Sequence, residues 1–345
     1  MEVGTTERRD WPWDEMLEAF RALGGAAKNI AIGKGEHDCS LFAVDPAEPV
    51  LLRVPANLLI SVDEIAFRNG NIQIIESSSV PEAERGFFER YQTTFSWGAG
   101  GKSGSAGFVA GLDALPGDIR ALLIEEFGFA GLLQGDVAER VQNHFLRSTE
   151  IGWQKGPVIA PLLDRTGYDP KGLRPERGKH LQIQGYPRGE ISVRRGVQDP
   201  CSAFCLYGFA GPEVNAFSLS VRAMFGDRQL AIGRRFIEGE KRGNDIIPRS
   251  ELQGDALNLS YLPLGNRKFP RQPRGILHRL FRDAGLNNSD EVFDEILRVN
   301  ALRFIKLMKA LEPYEGAMIS TLRTVARYQL EAMFHCVGSR EIAPA

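Results

Sequence analysis

Three features of this 345-residue chain have the residue types and spacing to do chemistry. The first is a glycine-rich stretch, Ser96-Trp97-Gly98-Ala99-Gly100-Gly101-Lys102-Ser103, which resembles a phosphate-cradling loop with Ser96 in the place of its first glycine. Such a loop has to follow a buried strand and open a helix, so that backbone N–H groups converge on the phosphate. Here the preceding Glu89-Arg90-Tyr91-Gln92-Thr93-Thr94 is polar, and the acidic run Leu122-Leu123-Ile124-Glu125-Glu126 reads as helix after Pro116. Nucleotide hydrolysis is therefore not expected, and the stretch reads as a mobile surface loop. The second feature is Cys201 and Cys205, four residues apart. No histidine or asparagine partner can be assigned to either and there is no G-x-S-x-G elbow, so packing on adjacent helical turns accounts for them. The third is Tyr207, in Cys205-Leu206-Tyr207-Gly208-Phe209-Ala210, followed by Gly211-Pro212-Glu213-Val214-Asn215 and the apolar run Ala216-Phe217-Ser218-Leu219. Taken alone, a tyrosine before a turn reads as a buried core residue sooner than as a catalytic phenol.

Metal chemistry finds no support. Cys39, Cys201, Cys205 and Cys336 are scattered, without a C-x-x-C pair or a histidine at ligand spacing, and read as free thiols of a reducing compartment. His37, His144, His180, His278 and His335 are isolated from one another and from any ligand pattern.

The stretch around Tyr207 resembles the closing motif of SET-domain methyltransferases, in the branch typified by the Rubisco large-subunit lysine methyltransferase, whose tyrosine stands in a Tyr-Gly-Phe tripeptide. Other pieces of that family's order are present: Asn29-Ile30 leading to Ser40-Leu41-Phe42-Ala43, then Val54-Pro55 with Leu58-Leu59-Ile60, then Pro161-Leu162-Leu163-Asp164. The resemblance, to a bacterial-type member of the branch, spans roughly residues 13–337. It implies S-adenosylmethionine as cofactor and methyl transfer to a nitrogen, a protein lysine in particular. A lysine with a pKa of about 10.4 is mostly protonated in water, so the amine has to be desolvated and aligned in a narrow channel. In the family the tyrosine lines that channel, which makes Tyr207 the catalytic candidate.

The resemblance also implies a cofactor site. Arg147, in Leu146-Arg147-Ser148, stands where relatives place an arginine that grips the cofactor's carboxylate with its bidentate fork. Gly35 and Glu36, in Gly33-Lys34-Gly35-Glu36-His37-Asp38, belong to a turn whose backbone approaches the cofactor. In Asp164-Arg165-Thr166-Gly167-Tyr168, Gly167 and Tyr168 replace an asparagine and a histidine that hold the cofactor's amino group and adenine. Arg195 replaces a tyrosine, Pro200 an asparagine and Ser40 a glycine. Two outcomes fit these departures: the adenosyl group is held by backbone contacts and the Tyr168 ring, or the pocket serves something else. A non-catalytic SET-fold module that binds a partner, and a SET-fold enzyme turned to a small molecule, remain the alternatives.

The elements that position these residues follow from periodicity. Residues 13–23 carry Met16, Leu17, Phe20 and Leu23 at helical spacing and stop at Gly24-Gly25. Short β-type pieces come next at 30–32, 40–44, 50–54 and 72–75, then helical patterns at 81–94, 108–115, 118–127 and 137–149. Strand-like pieces return at 158–163, 181–184, 191–193, 217–221, 229–233 and 257–262. The end is helical: 275–284, 290–311 with Ser289 as cap and Pro313 beyond it, and 317–337. This order excludes a regular βαβ alternation. The fold expected is α+β, a SET-type core of small curled sheets with a helical insert and a helical C-terminal lobe. Its expected segments are 1–80 and 157–263 for the core, 81–156 for the insert and 264–345 for the lobe.

A composition of 43% hydrophobic and 25% charged residues is that of a globular protein, and a net charge of −2 gives no electrostatic footprint for nucleic acid. The basic clusters Arg234-Arg235, Lys241-Arg242 and Arg267 to Arg282 read as solvated faces. Residues 1–14 lack the apolar core of a signal peptide, and no run reaches the ~18 apolar residues of a membrane span. A cytoplasmic protein acting on a protein or small-molecule substrate, without nucleic acid, membrane or metal, is the expectation.

Overall fold

The computed structural model describes residues 11–34, 40–154, 156–187, 189–225, 228–234, 239–242 and 245–335. Ten helices carry the labels used below: α1 (Trp13–Ala22), α2 (Glu82–Phe95), α3 (Lys102–Asp113), α4 (Gly117–Phe127), α5 (Ala130–Leu133), α6 (Val137–Thr149), α7 (Pro200–Tyr207), α8 (Gln272–Asp283), α9 (Ser289–Leu311) and α10 (Ala317–Phe334). Strands occupy the chain before α2 and between α6 and α8, giving the order strands, helical insert, strands, helical tail. Among the described residues no sheet exceeds four strands. The fold is therefore α+β, with small separate sheets and a helical C-terminal lobe. No helix among the described residues is long and apolar enough to cross a membrane.

The chain forms two compact units. The first takes residues 1–110 and 135–196, the second 111–134 and 197–345. In the first, Val50–Pro55 is the spine of a four-stranded antiparallel sheet, paired with Ala26–Lys28 on one side and His180–Gly185 on the other. Leu52 and Val54, pointing to one face at the period of two that strands impose, are fully buried. Helix α2 packs on this core with an aromatic row: Phe87, Tyr91 and Phe95, four apart, stack at centroid distances of 6.1 Å. Its neighbour Phe88 turns to a second cluster with Trp97, Val109, Phe145, Ile72 and Ile74. The hairpin Ile65–Arg68/Asn71–Ile74 closes through Asn69 and Gly70, both at positive φ (52° and 78°), the turn that an Asn-Gly pair favours.

In the second unit, α10 packs against α9, α7 and the two-stranded pair Asn215–Phe217/Pro263–Asn266. Gly265 makes the last contact possible, because a Cβ there would lie 2.1 Å from the Ala332 carbonyl oxygen. Asn300, fully buried on α9, accepts from the Leu219 N–H at 2.7 Å and donates to Ser218 Oγ and the Ile296 carbonyl. A four-stranded sheet in the order Val221–Phe225, Arg228–Ile232, Ala256–Leu259, Ser250–Gln253 completes the unit; its two central strands run parallel.

Several sequence expectations need correction. The run 158–163 is strand only to Ile159: Leu162 has φ 71°, which breaks the extended backbone before the 3-10 turn Leu163–Arg165. The run 217–221 splits between Asn215–Phe217 and Val221–Phe225. Ser289 does not cap α9; Asn288 occupies that position without a side-chain cap bond, and Ser289 Oγ meets His278 Nδ1 at 3.1 Å.

His144, on α6, is buried against α3. Its ring stacks on Phe108 at 4.3 Å and Nδ1 lies 3.0 Å from Ser105 Oγ, while Nε2 has no partner among the described residues. Burial pushes the imidazole down from its ordinary 6.5 to about 4. The fold thus takes up this proton at a lower pH than the unfolded chain does. Its contribution is intact above pH 6.5 and is lost as pH falls toward 4. Urea denaturation at pH 7 and pH 4.5 is expected to show about 2–3 kcal/mol more acid destabilisation in wild type than in His144→Gln. Equal pH dependence in the two proteins would contradict a neutral buried imidazole.

Candidate functional site

In the first unit the predicted cofactor segment is anchored by Asp164. Its carboxylate is buried and accepts from Tyr91 Oη at 2.6 Å, Ser96 Oγ at 2.6 Å and Gln92 Nε2 at 3.0 Å. Tyr91 is a relay, since its oxygen also accepts the Leu162 N–H at 2.8 Å. Burial, reinforced by the Asp164 charge, holds the Tyr91 phenol well above its ordinary range, so it stays the proton donor. The network fixes Leu162 at φ 71°, a conformation that a leucine adopts only when its surroundings impose it. Asp164 is thus an internal anchor of the turn and presents no free carboxylate to a ligand.

Arg195 ties this turn to α6. Its guanidinium donates to the Leu163 carbonyl at 2.9 Å, to the Thr166 carbonyl at 3.2 Å and to the carbonyl of Ser148 at the end of α6. One planar fork satisfies carbonyls from two segments, which a tyrosine hydroxyl at this position could not do. Arg147, beside Ser148, is exposed, and its charge acts on Glu150, whose carboxyl is pushed up by burial and held down by Arg147.

Downstream, Gly167 and Tyr168 open the strand Gly167–Leu173, which pairs in parallel with Ser192–Val193. Both are half-buried. A Cβ on Gly167 would come within 3.1 Å of Glu190 Oε1, so the missing side chain leaves room directly beside that carboxylate. Glu190 is half-buried, bridged through its backbone to Phe42, and has no ion pair among the described residues. The first unit thus gathers Arg195, the 163–168 segment and Glu190 around one junction of turn and strand, tied to the end of α6 at Ser148, while Arg147 points its exposed side chain beside Glu150. Arg195 entered the sequence reading only as a departure and Glu190 not at all. Neither a spacing rule nor a motif marks a glutamate whose neighbour is a glycine 23 residues away.

Tyr207 belongs to the second unit, as the last residue of the eight-residue α7. Pro200 sits at the first helical position, where its missing N–H costs nothing, and Asp199 caps the helix by accepting the Ser202 N–H at 2.7 Å. Gly208 ends α7 in the left-handed conformation, φ 65°, with its N–H on the Phe204 carbonyl at 2.9 Å. Tyr207 is half-buried at this sharp exit and is not a fully buried core tyrosine. Asp199 also accepts from the Phe217 N–H at 3.2 Å and from Gln329 Nε2 at 3.0 Å. Arg234 lies 3.4 Å from its other oxygen. Arg234 is therefore partner to a buried carboxylate and not part of a solvated basic face, which corrects the sequence expectation.

Gly35 and Glu36 lie outside the described residues. The glycine-rich stretch is not a mobile loop: residues 97–101 form a hydrogen-bonded kink between α2 and α3, non-helical at Ala99 and Gly100, with Ser96 and Trp97 buried. The Ala99 and Gly101 N–H groups both donate to the Ser96 carbonyl, and Trp97 Nε1 donates to the Gly70 carbonyl at 2.7 Å. A Cβ at Gly98 would meet the Thr93 carbonyl oxygen at 1.9 Å, so its glycine serves backbone packing. A helix precedes the turn, which removes the phosphate-binding reading. No cluster of three or more His, Cys, Asp or Glu suited to a metal occurs among the described residues.

No protein-family model matches the chain, and no curated protein matches it. Among solved structures it is similar to one of Rubisco LSMT bound to AdoMet, at a TM-score of 0.41 and 12% identity, over 94% of this chain and 90% of that one. A likeness of that size carries no functional argument by itself.

The anchor can be tested through Tyr91. Replacing it by phenylalanine removes one donor from a buried carboxylate and orphans the Leu162 N–H. The expected loss of stability is about 2–4 kcal/mol in urea denaturation. A loss below about 1 kcal/mol, the worth of one ordinary hydrogen bond, would mean that the relay does not hold the turn.

Proposed function

We propose that the chain is a SET-type methyltransferase that binds S-adenosylmethionine and transfers its methyl group to a nitrogen, with a protein lysine as the acceptor. The observation that carries this reading is Tyr207: the one phenol of the Tyr-Gly-Phe motif stands half-buried at the exit of a short, doubly capped helix. The order of strands, helical insert, strands and helical tail supports it.

The residues present suit the cofactor's charges. Its carboxylate would go to the exposed Arg147, and its cationic groups to the Glu190 carboxylate beside the space that Gly167 leaves. When bound, the cofactor supplies an electrophilic methyl on a sulfonium. Gly167 and the half-buried Tyr168 stand in place of the polar pair that relatives carry. Asp164 and Arg195 position this segment without touching the ligand. Tyr207 orients the acceptor amine, and partial exclusion of water around it favours the neutral amine over the ammonium. The inward turn of Asp164 favours, as a second reading, a fold that binds a partner without catalysis; a small-molecule acceptor is the third.

Calorimetry with S-adenosylhomocysteine is expected to show one saturable site. Arg147→Ala and Glu190→Gln should each weaken it, by roughly 10-fold or more for a charge-assisted contact. Tyr207→Phe is expected to keep cofactor binding and lose methyl transfer to lysine-containing protein. Absence of binding heat and of a thermal shift at millimolar ligand would leave the binding-module reading. Full transfer activity in Tyr207→Phe would remove that residue from the chemistry.

A further inference from the structure

Cys201 and Cys205 are free thiols four residues apart, on consecutive turns of α7. Cys201 is the second residue of the helix, where the N-terminal end of the helix dipole favours negative charge, and it is 1% exposed. Arg234 places Nη1 3.5 Å from the Cys201 sulfur while Nη2 holds Ser202 Oγ at 3.0 Å and Asp199 Oδ1 at 3.4 Å. Cys205, one turn later, is half-buried, three residues before the left-handed Gly208. The two thiols are thus unequal. A Cys205 hydrogen bond and the Arg234 charge pull the Cys201 thiol down, against its burial and the Asp199 charge, and the same hydrogen bond, with burial, pushes Cys205 up.

We propose that Cys201 and Cys205 are a redox-sensitive dithiol, a modification site in which Cys201 is the nucleophile and Cys205 the resolving thiol toward a hydroperoxide. The Cys201 thiolate attacks the distal peroxide oxygen and the O–O bond breaks. Cys201 becomes a sulfenic acid, and the alkoxide or hydroxide released takes a proton from water. Cys205 then gives up its proton, its sulfur attacks the sulfenic sulfur, and the hydroxide that leaves takes that proton as water. Two thiols are oxidised to one disulfide, and one hydroperoxide is reduced to an alcohol or water.

The bridge cannot form on an undistorted helix. Residues four apart keep their Cβ atoms about 5–6 Å apart, whereas a disulfide holds them at about 3.5–4.5 Å. The final turn of α7 has to tighten or open, and Tyr207 lies in that turn. The site stands on the thiol geometry and does not depend on the methyltransferase reading.

The test uses the full chain, reduced, exposed to submillimolar hydrogen peroxide and then denatured, alkylated and digested with trypsin. Both cysteines fall in one tryptic peptide, residues 196–222, and neither Cys39 nor Cys336 does. The expected product is that peptide two hydrogens lighter and unalkylated, restored to a doubly alkylated form by prior dithiothreitol. In Cys205→Ser, Cys201 should accumulate a sulfenic acid that dimedone captures; in Cys201→Ser, Cys205 should stay alkylatable. Full alkylation of both cysteines in peroxide-treated wild type would overturn the proposal. So would disulfides joining Cys39 or Cys336 to either one, or faster oxidation at Cys205 than at Cys201.

Discussion

A carboxylate taken out of water costs several kcal/mol unless donors fill its lone pairs, and each unit of this protein is organised around meeting that constraint. Asp164 meets it with three uncharged donors from α2 and the turn beyond it, Tyr91, Gln92 and Ser96. Because these donors lie 68–73 residues away in sequence, filling the lone pairs is the same event as docking the 163–166 turn on α2. Asp199 meets it with two backbone N–H groups, Gln329 and Arg234. There the donors come from α7 itself, the strand Asn215–Phe217, α10 and the segment after Ile232. Losing either carboxylate would leave several donors unpaired at once, so these are the positions where a single change should disturb most of a unit.

The two anchors leave different freedoms beside them. Tyr91, held by Asp164, pins Leu162 at its positive φ, and Arg195 then clamps the carbonyls of Leu163 and Thr166. Gly167 and Tyr168 therefore emerge from a rigid base, with the glycine next to the Glu190 carboxylate. Asp199 fixes only the first turn of α7, by its cap, while the last turn ends at Gly208. The Gly208 N–H closes that last turn on the Phe204 carbonyl, so Cys205 and Tyr207 stand between a buried aromatic and a left-handed glycine.

Much of the architecture was legible because its signals are local. Met16, Leu17 and Phe20, or Phe87, Tyr91 and Phe95, repeat at three and four residues, and only a helix brings such residues to one face. The first half of α3 was not legible: Lys102-Ser103-Gly104-Ser105-Ala106-Gly107 contains poor helix formers, and it is helical as the continuation of a turn packed through Trp97 onto Phe67 and Phe145. The positive φ of Leu162 carries no sequence mark either, since it is imposed by a tyrosine 71 residues earlier. For the candidate site, Tyr207 and the 164–168 segment were found through family resemblance. The burial of Asp164, the ion pair of Arg234 with Asp199, and the pairing of Gly167 with Glu190 depend on contacts between distant segments that a single sequence does not encode as pattern.

The departures from the motif that the chain resembles make physical sense residue by residue. A polar asparagine-histidine pair needs partners or water when half-buried, and removing it without compensation would leave donors around it unpaired. Here the compensation is present. Arg195, in place of a tyrosine, takes up the backbone carbonyls of Leu163 and Thr166, and Pro200, in place of an asparagine, occupies a helix position that requires no N–H. Gly167 exposes a carboxylate in the place of an amide. Arg195 holds the turn closed, and the missing side chain of Gly167 leaves the Glu190 carboxylate at its edge, so the groups around this segment are satisfied without the polar pair.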